Sequence, residues 1–426
     1  MKKYIIMVLL IALLGCQKEY QPKSASEAVN IAITSDIHYI DKSLMGNLLY
    51  ESLERSDGKL TIYIDTLVSA FVEDMLESKP DLVVITGDLS FNGERISHET
   101  LAKKLNKLNR AGIKTLVIPG NHDILNAHAI DYSKEEAYRT DTVTVDDYRK
   151  IYNDFGYSDA YSTDPSSLSY IYKASDSLYL LMLDSNTYEK NSGFAPSSEG
   201  YIRKETLSWL EDELSKIEDA NKLVFLHHPV LNVGANEEYH ITNDTEFLNF
   251  MTEYDLKLAI SGHIHAQNYL EKTADNILIT NFGISSLAVY DHQYTLLSSE
   301  PDEAYNLEAI NVNVEGYAKK HNLNDEFFTD FDNNAFEYFK KYSTTRLTKR
   351  FVGDDIPSDL SDKLFELKGI FNAYEFKGEA PAFKEIFESD EDYERILEYK
   401  SGYAAPFFNV FKYFYNDATK LTIMLK

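Results

Sequence analysis

Cysteine is almost absent from this chain: there is one, Cys16, in 426 residues. No intramolecular disulfide can form, and the body of the protein has neither a thiol nucleophile nor a thiolate for a metal. Positive charge is also scarce, with 42 Lys and Arg against 69 Asp and Glu and a formal charge of -27. Such a surface repels nucleic-acid backbones, which argues against duplex binding. An anionic ligand would need a local source of positive charge. Glycine and proline, at 18 and 10, are too few for a low-complexity chain, and no fixed-period repeat is visible. What is present is a core-forming composition, 44 % hydrophobic and rich in aromatics, with 31 Tyr and 23 Phe. The length suggests two domains.

Long apolar runs are missing too, apart from Tyr4–Leu14 behind Lys2 and Lys3. That run is too short to span a bilayer comfortably and has the form of a targeting segment. It ends in Leu13-Leu14-Gly15-Cys16, which resembles the lipobox of bacterial lipoproteins. The resemblance implies a signal peptide over 1–15 and acylation of Cys16, with export and lipid anchoring to the outer face of a bacterial membrane. An uncleaved membrane anchor is the alternative. Residues 16–27 are polar and small, and read as a tether.

From residue 28 apolar strands alternate with amphipathic helices. Ala28–Thr34, Leu82–Thr86, Ile113–Ile118, Leu178–Leu183, Lys222–Leu226 and Leu256–Ile260 read as strands. Helical spacing marks Thr61–Ser78, His98–Arg110 and Arg203–Ile217. Asn276–Ile279 and Ala309–Val314 look like later strands of a second sheet, and Asn126–Pro165 like an insertion at the rim of a site. From about residue 323 an aromatic stripe at helical spacing (Phe327, Phe331, Ala335, Tyr338, Phe339, Tyr342) begins a helical region, with further helical patterns up to Tyr415. The stripe reads as core. The expected organisation is an α/β catalytic domain over 28–322 and an all-helical domain over 323–426.

Five strand ends carry chemistry: Asp36-x-His38, Gly87-Asp88, Gly120-Asn121-His122, His227 and Gly262-His263-x-His265. Such ends converge on one edge of an α/β sheet. Residues two apart on extended backbone share a side, so Asp36 with His38, and His263 with His265, can reach one ion together. The donor set of carboxylate, amide oxygen and imidazole suits Mn, Fe, Zn, Co or Ni and disfavours an all-oxygen Ca or Mg cage. There are more donors than one ion needs. Two ions with a bridging hydroxide would leave a net positive site, the local charge that an acidic protein needs to hold a phosphate.

The order DxH, GD, GNH, H, GHxH resembles that of the calcineurin-like metallophosphoesterase family and covers roughly residues 28–315. The resemblance implies a two-sheet β-sandwich flanked by helices. It also implies two divalent or trivalent transition-metal ions (Mn, Fe or Zn). Asp36, His38 and His265 correspond to ligands of the first ion, Asn121, His227 and His263 to ligands of the second, and Asp88 to the bridging carboxylate. His122 corresponds to the catalytic histidine at the leaving oxygen, and Asp123 could orient it. His228, beside His227, either lines the substrate pocket or is structural. His98, His128, His240, His292 and His321 read as surface or loop residues, His128 and His240 being the nearest to site strands. The lipobox, the segment Gly87–Glu94 and the helical C-terminal region together resemble bacterial lipoproteins of the cyclic nucleotide phosphodiesterase group.

The expected activity is therefore a metal-dependent phosphodiesterase acting on a small phosphoester such as a cyclic nucleotide, by attack of metal-bound hydroxide on phosphorus. A phosphomonoesterase on the same scaffold is the alternative, because specificity lies in pocket walls. A non-catalytic surface-binding lipoprotein would be expected to lack ligands, and none is missing. No protein partner is indicated.

Overall fold

The structure is a computed structural model describing residues 20–52, 58–191, 196–232, 239–300, 303–344, 357–398 and 416–425. The lipobox with Cys16, and the helical pattern ending at Tyr415, lie outside the described residues. Along the chain, β1 (Val29–Thr34), α1 (Asn47–Ser52), α2 (Ile64–Ser78), β2 (Leu82–Ile85), α3 (Arg95–Ala111) and β3 (Lys114–Val117) come first. A hairpin of β4 (Ile130–Asp131) and β5 (Tyr138–Arg139) and the helix α4 (Val145–Ile151) occupy the insertion. There follow β6 (Ser162–Thr163), β7 (Tyr170–Lys173), β8 (Leu178–Leu183), α5 (Lys204–Leu214), β9 (Asn221–Leu226), α6 (Asp244–Glu253), β10 (Leu258–Ser261), β11 (Asn268–Ala274) and β12 (Ile277–Gly283). The described elements end with β13 (Gln293–Glu300), β14 (Ala304–Asn311), α7 (Val314–Lys320), α8 (Phe331–Tyr342), α9 (Ser358–Phe376), α10 (Ala380–Glu388), α11 (Tyr393–Glu398) and β15 (Lys420–Met424).

Two mixed sheets form a sandwich. The first has the order β15-β14-β13-β1-β2-β3, and the second β11-β12-β10-β9-β8-β7-β6. In each, the strands that carry the motifs are parallel neighbours: β1 with β2 and β2 with β3, then β9 with β10. Parallel strands joined by crossover helices end on the same edge, so the sheet order itself collects the motif residues.

Side-chain alternation explains why β8 is apolar throughout. Leu178, Leu180 and Met182 enter the core shared by both sheets, while Tyr179, Leu181 and Leu183 enter a second core under α5 and α6. A strand covered on both faces has no solvent side to mark with polar residues. Leu67 and Phe71 of α2 and Leu101 and Leu105 of α3 belong to the shared core. The aromatic stripe is core as expected, with Phe331, Ala335 and Phe339 all buried.

Three expectations are corrected. The C-terminal region is not wholly helical, because β15 pairs antiparallel with β14 and completes the first sheet. Its alternate residues Leu421 and Ile423 turn towards the core, which is the period of a strand. Ala309–Val314 splits between β14, in the first sheet rather than the second, and α7, which starts at Val314. His98 and His292 are not surface residues: both are buried, His98 between Tyr152 Oη and the Asp123 carbonyl and His292 against the Leu287 carbonyl.

Helices α9 to α11 share a small core of Leu360, Leu364, Leu367, Phe371, Phe383, Phe387 and Ile396. Buried Gln267 ties that region to the sandwich. Its amide N–H donates to Phe376 O at 3.0 Å and Nε2 to Ala418 O at 3.0 Å. Its Oε1 accepts from Gln293 Nε2 at 3.2 Å and Thr295 Oγ1 at 3.1 Å. Gln267→Ala leaves buried partners unsatisfied, so it is expected to lower unfolding free energy by about 2–3 kcal/mol in denaturant titration. An unchanged midpoint would show that the two parts are held together elsewhere.

Candidate metal centre

The five strand ends meet. Backbone bonds stitch them: Asp36 N donates to Gly87 O at 3.0 Å, His38 N to Asp88 O at 2.9 Å and Gly262 N to His227 O at 3.0 Å. Asp36, His38, Asp88 and His265 each offer a donor atom within 4.8 Å of the others. Here His38 Nε2 lies 3.1 Å from His265 Nε2 and 3.7 Å from Asp88 Oδ2, and His265 Nε2 lies 3.2 Å from Asp36 Oδ1. Beside this group, His227 Nε2 lies 3.1 Å from Asn121 Oδ1, 3.2 Å from His263 Nδ1 and 3.6 Å from Asp88 Oδ1. Asp88 thus turns one oxygen to each group, the position of a bridging carboxylate.

The backbone reaches this arrangement by an unexpected route. Asp36, His38, Asp88, His263 and His265 all have left-handed φ, between 47° and 71°. The side chains of Asp36 and His38 converge through a left-handed turn, not through the alternation of an extended strand. Each such residue costs on the order of 1 kcal/mol, and a site held together by its surroundings is where such strain persists. Two glycines are required by close approach. A Cβ at Gly120 would lie 2.2 Å from Asp88 N and Oδ1, and one at Gly262 would lie 2.0 Å from Ser35 Oγ and 2.7 Å from Asp36 Oδ2.

The donor set fits metal ions. Asp36 Oδ1 is buried without a hydrogen-bond partner, although Ser35 Oγ and His263 N satisfy Oδ2. Imidazole nitrogens about 3 Å apart can share one proton at most, whereas a cation accepts lone pairs from both. His227 Nδ1 faces Thr86 O at 2.8 Å; the proton belongs there, leaving Nε2 for an ion. Burial, then neighbouring charges, hold His38 and His263 far below the ordinary imidazole range, so both are neutral, the ligating form. Burial, then the Asp36 and Asp123 carboxylates, push Asp88 well above its ordinary range. Two acids so placed are stabilised as anions by cations between them.

His122 lies at the edge of the centre, its Nε2 4.0 Å from Asp88 Oδ2 and its side chain 29 % exposed. Its amide N–H donates to Asp88 Oδ1 at 2.8 Å. Its Nδ1 meets Phe91 O at 3.1 Å and Asn92 Oδ1 at 3.0 Å. Asn92 therefore takes the place the sequence reading offered to Asp123. The Asp123 carboxylate instead accepts from Gly120 N, Leu89 N and Ser90 N at 2.8 to 3.1 Å, pinning the β2 and β3 turns together from below. His228 is wholly buried, with Nδ1 2.9 Å from Ser185 Oγ and its ring 4.4 Å from that of His263, and it offers a donor atom within 4.8 Å of those of His227 and His263. Asn92 sits in the segment Gly87–Glu94 already singled out, and its place after Gly-Asp is the signal that could have found it.

Gly120→Ala must displace Asp88, so the purified variant is expected to keep fewer metal ions per chain than the parent. Elemental analysis measures this, and an unchanged metal content would refute the close-approach account.

A model of the calcineurin-like phosphoesterase family matches residues 29–267. A 3′,5′-cyclic-nucleotide phosphodiesterase of Nostoc sp. is 29 % identical over 242 residues, 56 % of this chain and 72 % of that one. A protein of Arcobacter nitrofigilis named a probable glycerophosphodiester phosphodiesterase is 28 % identical over 196 residues, 45 % of this chain and 58 % of its own. A protein of Coxiella burnetii named a probable cyclic nucleotide phosphodiesterase is 25 % identical over 240 residues, 56 % of this chain and 76 % of its own. The match runs from β1 to the strand end that carries His263 and His265, the span that builds the metal centre, and the chain belongs to the calcineurin-like phosphoesterase family, a family of dinuclear-metal-dependent phosphoester hydrolases.

Proposed function

We propose that this protein is a phosphodiesterase acting on nucleotides, cyclic nucleotides foremost, at a centre of two transition-metal ions. The observation that carries the reading is Asp88, set between two donor groups with one oxygen towards each. Asp36, His38 and His265 hold the first ion, and Asn121, His227 and His263 the second. Bound there, such ions bring the pKa of water to near neutrality and polarise phosphoryl oxygens.

The chain's own residues do the rest. The left-handed turns fix the donors before substrate arrives, so little reorganisation is left to the reaction. His122 is anchored through Nδ1 to Phe91 O and Asn92, and a further proton on this ring is then carried at Nε2. That atom faces the open side of the centre, where it can be given to the departing alcohol oxygen. Burial, then the Lys59 ammonium, hold the ring neutral at pH 7, so Nε2 first takes the proton that the attacking water loses and then passes it to the alcohol oxygen. Asp123 is a positioning residue that fixes the turns.

The relatives named for cyclic nucleotides support the substrate class, and the relative named for glycerophosphodiesters supplies a second diester to test. Lipid anchoring through Cys16 is proposed on the Leu13-Leu14-Gly15-Cys16 sequence, and places the enzyme on the outer face of a bacterial membrane.

With Mn added, kcat/KM on bis(p-nitrophenyl) phosphate is expected to exceed that on p-nitrophenyl phosphate, and a panel of 2′,3′- and 3′,5′-cyclic nucleotides and glycerophosphodiesters ranks the natural class. His122→Ala should lower kcat about 100-fold or more with metal content retained. Monoester preference, or full turnover without His122, would defeat the reading. For the anchor, the full-length protein is expected in the membrane fraction of its host and Cys16→Ser in the soluble fraction; equal partitioning of both would remove the proposal.

A further inference from the structure

Most of the donor residues are out of reach of solvent: Asp36, His38, Asp88, Asn121 and His227 are all buried. The centre comes to the surface at His122, His263 and His265, which are partly exposed. A phosphate reaches the donors over these three residues.

Tyr239 stands at this opening. Its ring meets that of His263 edge to face, with centroids 5.4 Å apart and planes at 83°. The residue is 36 % exposed, a large aromatic left partly in solvent beside a donor that solvent can reach. The backbone next to it is fixed. Ile241 is buried in the core under α5 and α6, and its N–H donates to Pro229 O at 2.9 Å. Thr242 donates to Gly200 O through N at 2.8 Å and through Oγ1 at 3.1 Å. Gly200 lies on His228, where a Cβ would come within 2.5 Å of the imidazole Cγ. The segment that follows Tyr239 is thus tied to the turn that carries His227.

The position is distinct from that of His122. His122 Nε2 lies 4.0 Å from Asp88 Oδ2, the oxygen turned to His38, whereas His263 belongs to the group around Asp88 Oδ1. A phosphoryl group held between the two groups has His122 towards one end and Tyr239 towards the other.

We propose that Tyr239 determines specificity for nucleotides, its ring stacking on the nucleobase while the phosphate lies on the metal centre. The inference rests on the phosphoesterase reading and deepens it, from diesters in general to diesters that carry a flat ring. Every base has a π face, so a stacking platform accepts nucleotides with little preference among bases. A glycerophosphodiester has no ring to stack and gains nothing there.

The test uses the full chain loaded with Mn, as wild type, Tyr239→Leu and Tyr239→Phe. Adenosine monophosphate and inorganic phosphate are titrated calorimetrically, and kcat/KM is measured on a cyclic nucleotide and on glycerophosphoethanolamine. Wild type is expected to bind the nucleotide about 10-fold or more tightly than phosphate. Tyr239→Leu should lose that difference and lower the ratio of kcat/KM, cyclic nucleotide to glycerophosphodiester, by a similar factor, mainly through KM. Tyr239→Phe keeps the ring and should behave as wild type. Three results would each overturn the proposal: a wild type that binds the nucleotide no better than phosphate, an unchanged preference in Tyr239→Leu, or an equal loss of phosphate affinity in that variant, which would mean that Tyr239 acts on the centre through His263. If the wild type prefers the nucleotide but hydrolyses no ester, the phosphoesterase reading fails on its own, and the titrations still decide the role of Tyr239.

Discussion

Asp88 is the residue on which the rest of the arrangement depends. Its carboxylate is buried among imidazoles and close to a second carboxylate, Asp36, where burial and like charge both oppose ionisation. Water cannot stabilise it there, and the neutral imidazole of His38 at 3.7 Å cannot either. Cations can, and the surrounding donors are all of the kind that bind them. The left-handed turns and the glycines that allow the close approach hold this group in one position, where bound cations would keep it ionised. With ions bound there, the net charge of the chain would cease to be an obstacle to an anionic substrate, because the local field would be set by the ions and not by the surface.

That position is held by backbone more than by side chains. Five donor residues take left-handed φ, and the bonds from Ser35, Ser286 and Asp123 to neighbouring turns keep them there. The sandwich explains how such turns come together: parallel strands from two sheets end on one edge, and strain at their ends is supported by cores on both sides of β8 and by α2 and α3. Asn92 completes this layer behind His122.

Much of this was legible in the sequence, for a physical reason. A buried parallel strand is an apolar run, and a polar residue just past its end has few structural uses, so the motif residues stood out. What was not legible depended on contacts between distant segments. Asp123 follows His122 directly, yet the turn sends its carboxylate inward to Gly120, Leu89 and Ser90, while Asn92, 30 residues earlier, meets the imidazole. Left-handed φ leaves no mark when Asp or His adopts it. The strands β11 and β13, with sequences such as Asn-Tyr-Leu-Glu-Lys-Thr-Ala, lack a continuous apolar run, because one face or one edge is wet. The placing of Gly58–Leu60 could not be found from local sequence, since the residues that meet this segment, Ala288, Tyr338 and Phe339, are more than 200 residues away.

The C-terminal region belongs to the same structure as the sandwich. Its last strand extends the first sheet, Gln267 bonds to the end of α9 just after the His265 turn, and α8 packs on Gly58. The central claim, that Asp88 bridges two metal ions, is tested most directly by anomalous diffraction at the Mn edge from crystals of Mn-loaded protein. The account predicts two peaks about 3.5–4 Å apart with Asp88 between them; a single peak, or two peaks with Asp88 bound to only one, would contradict it.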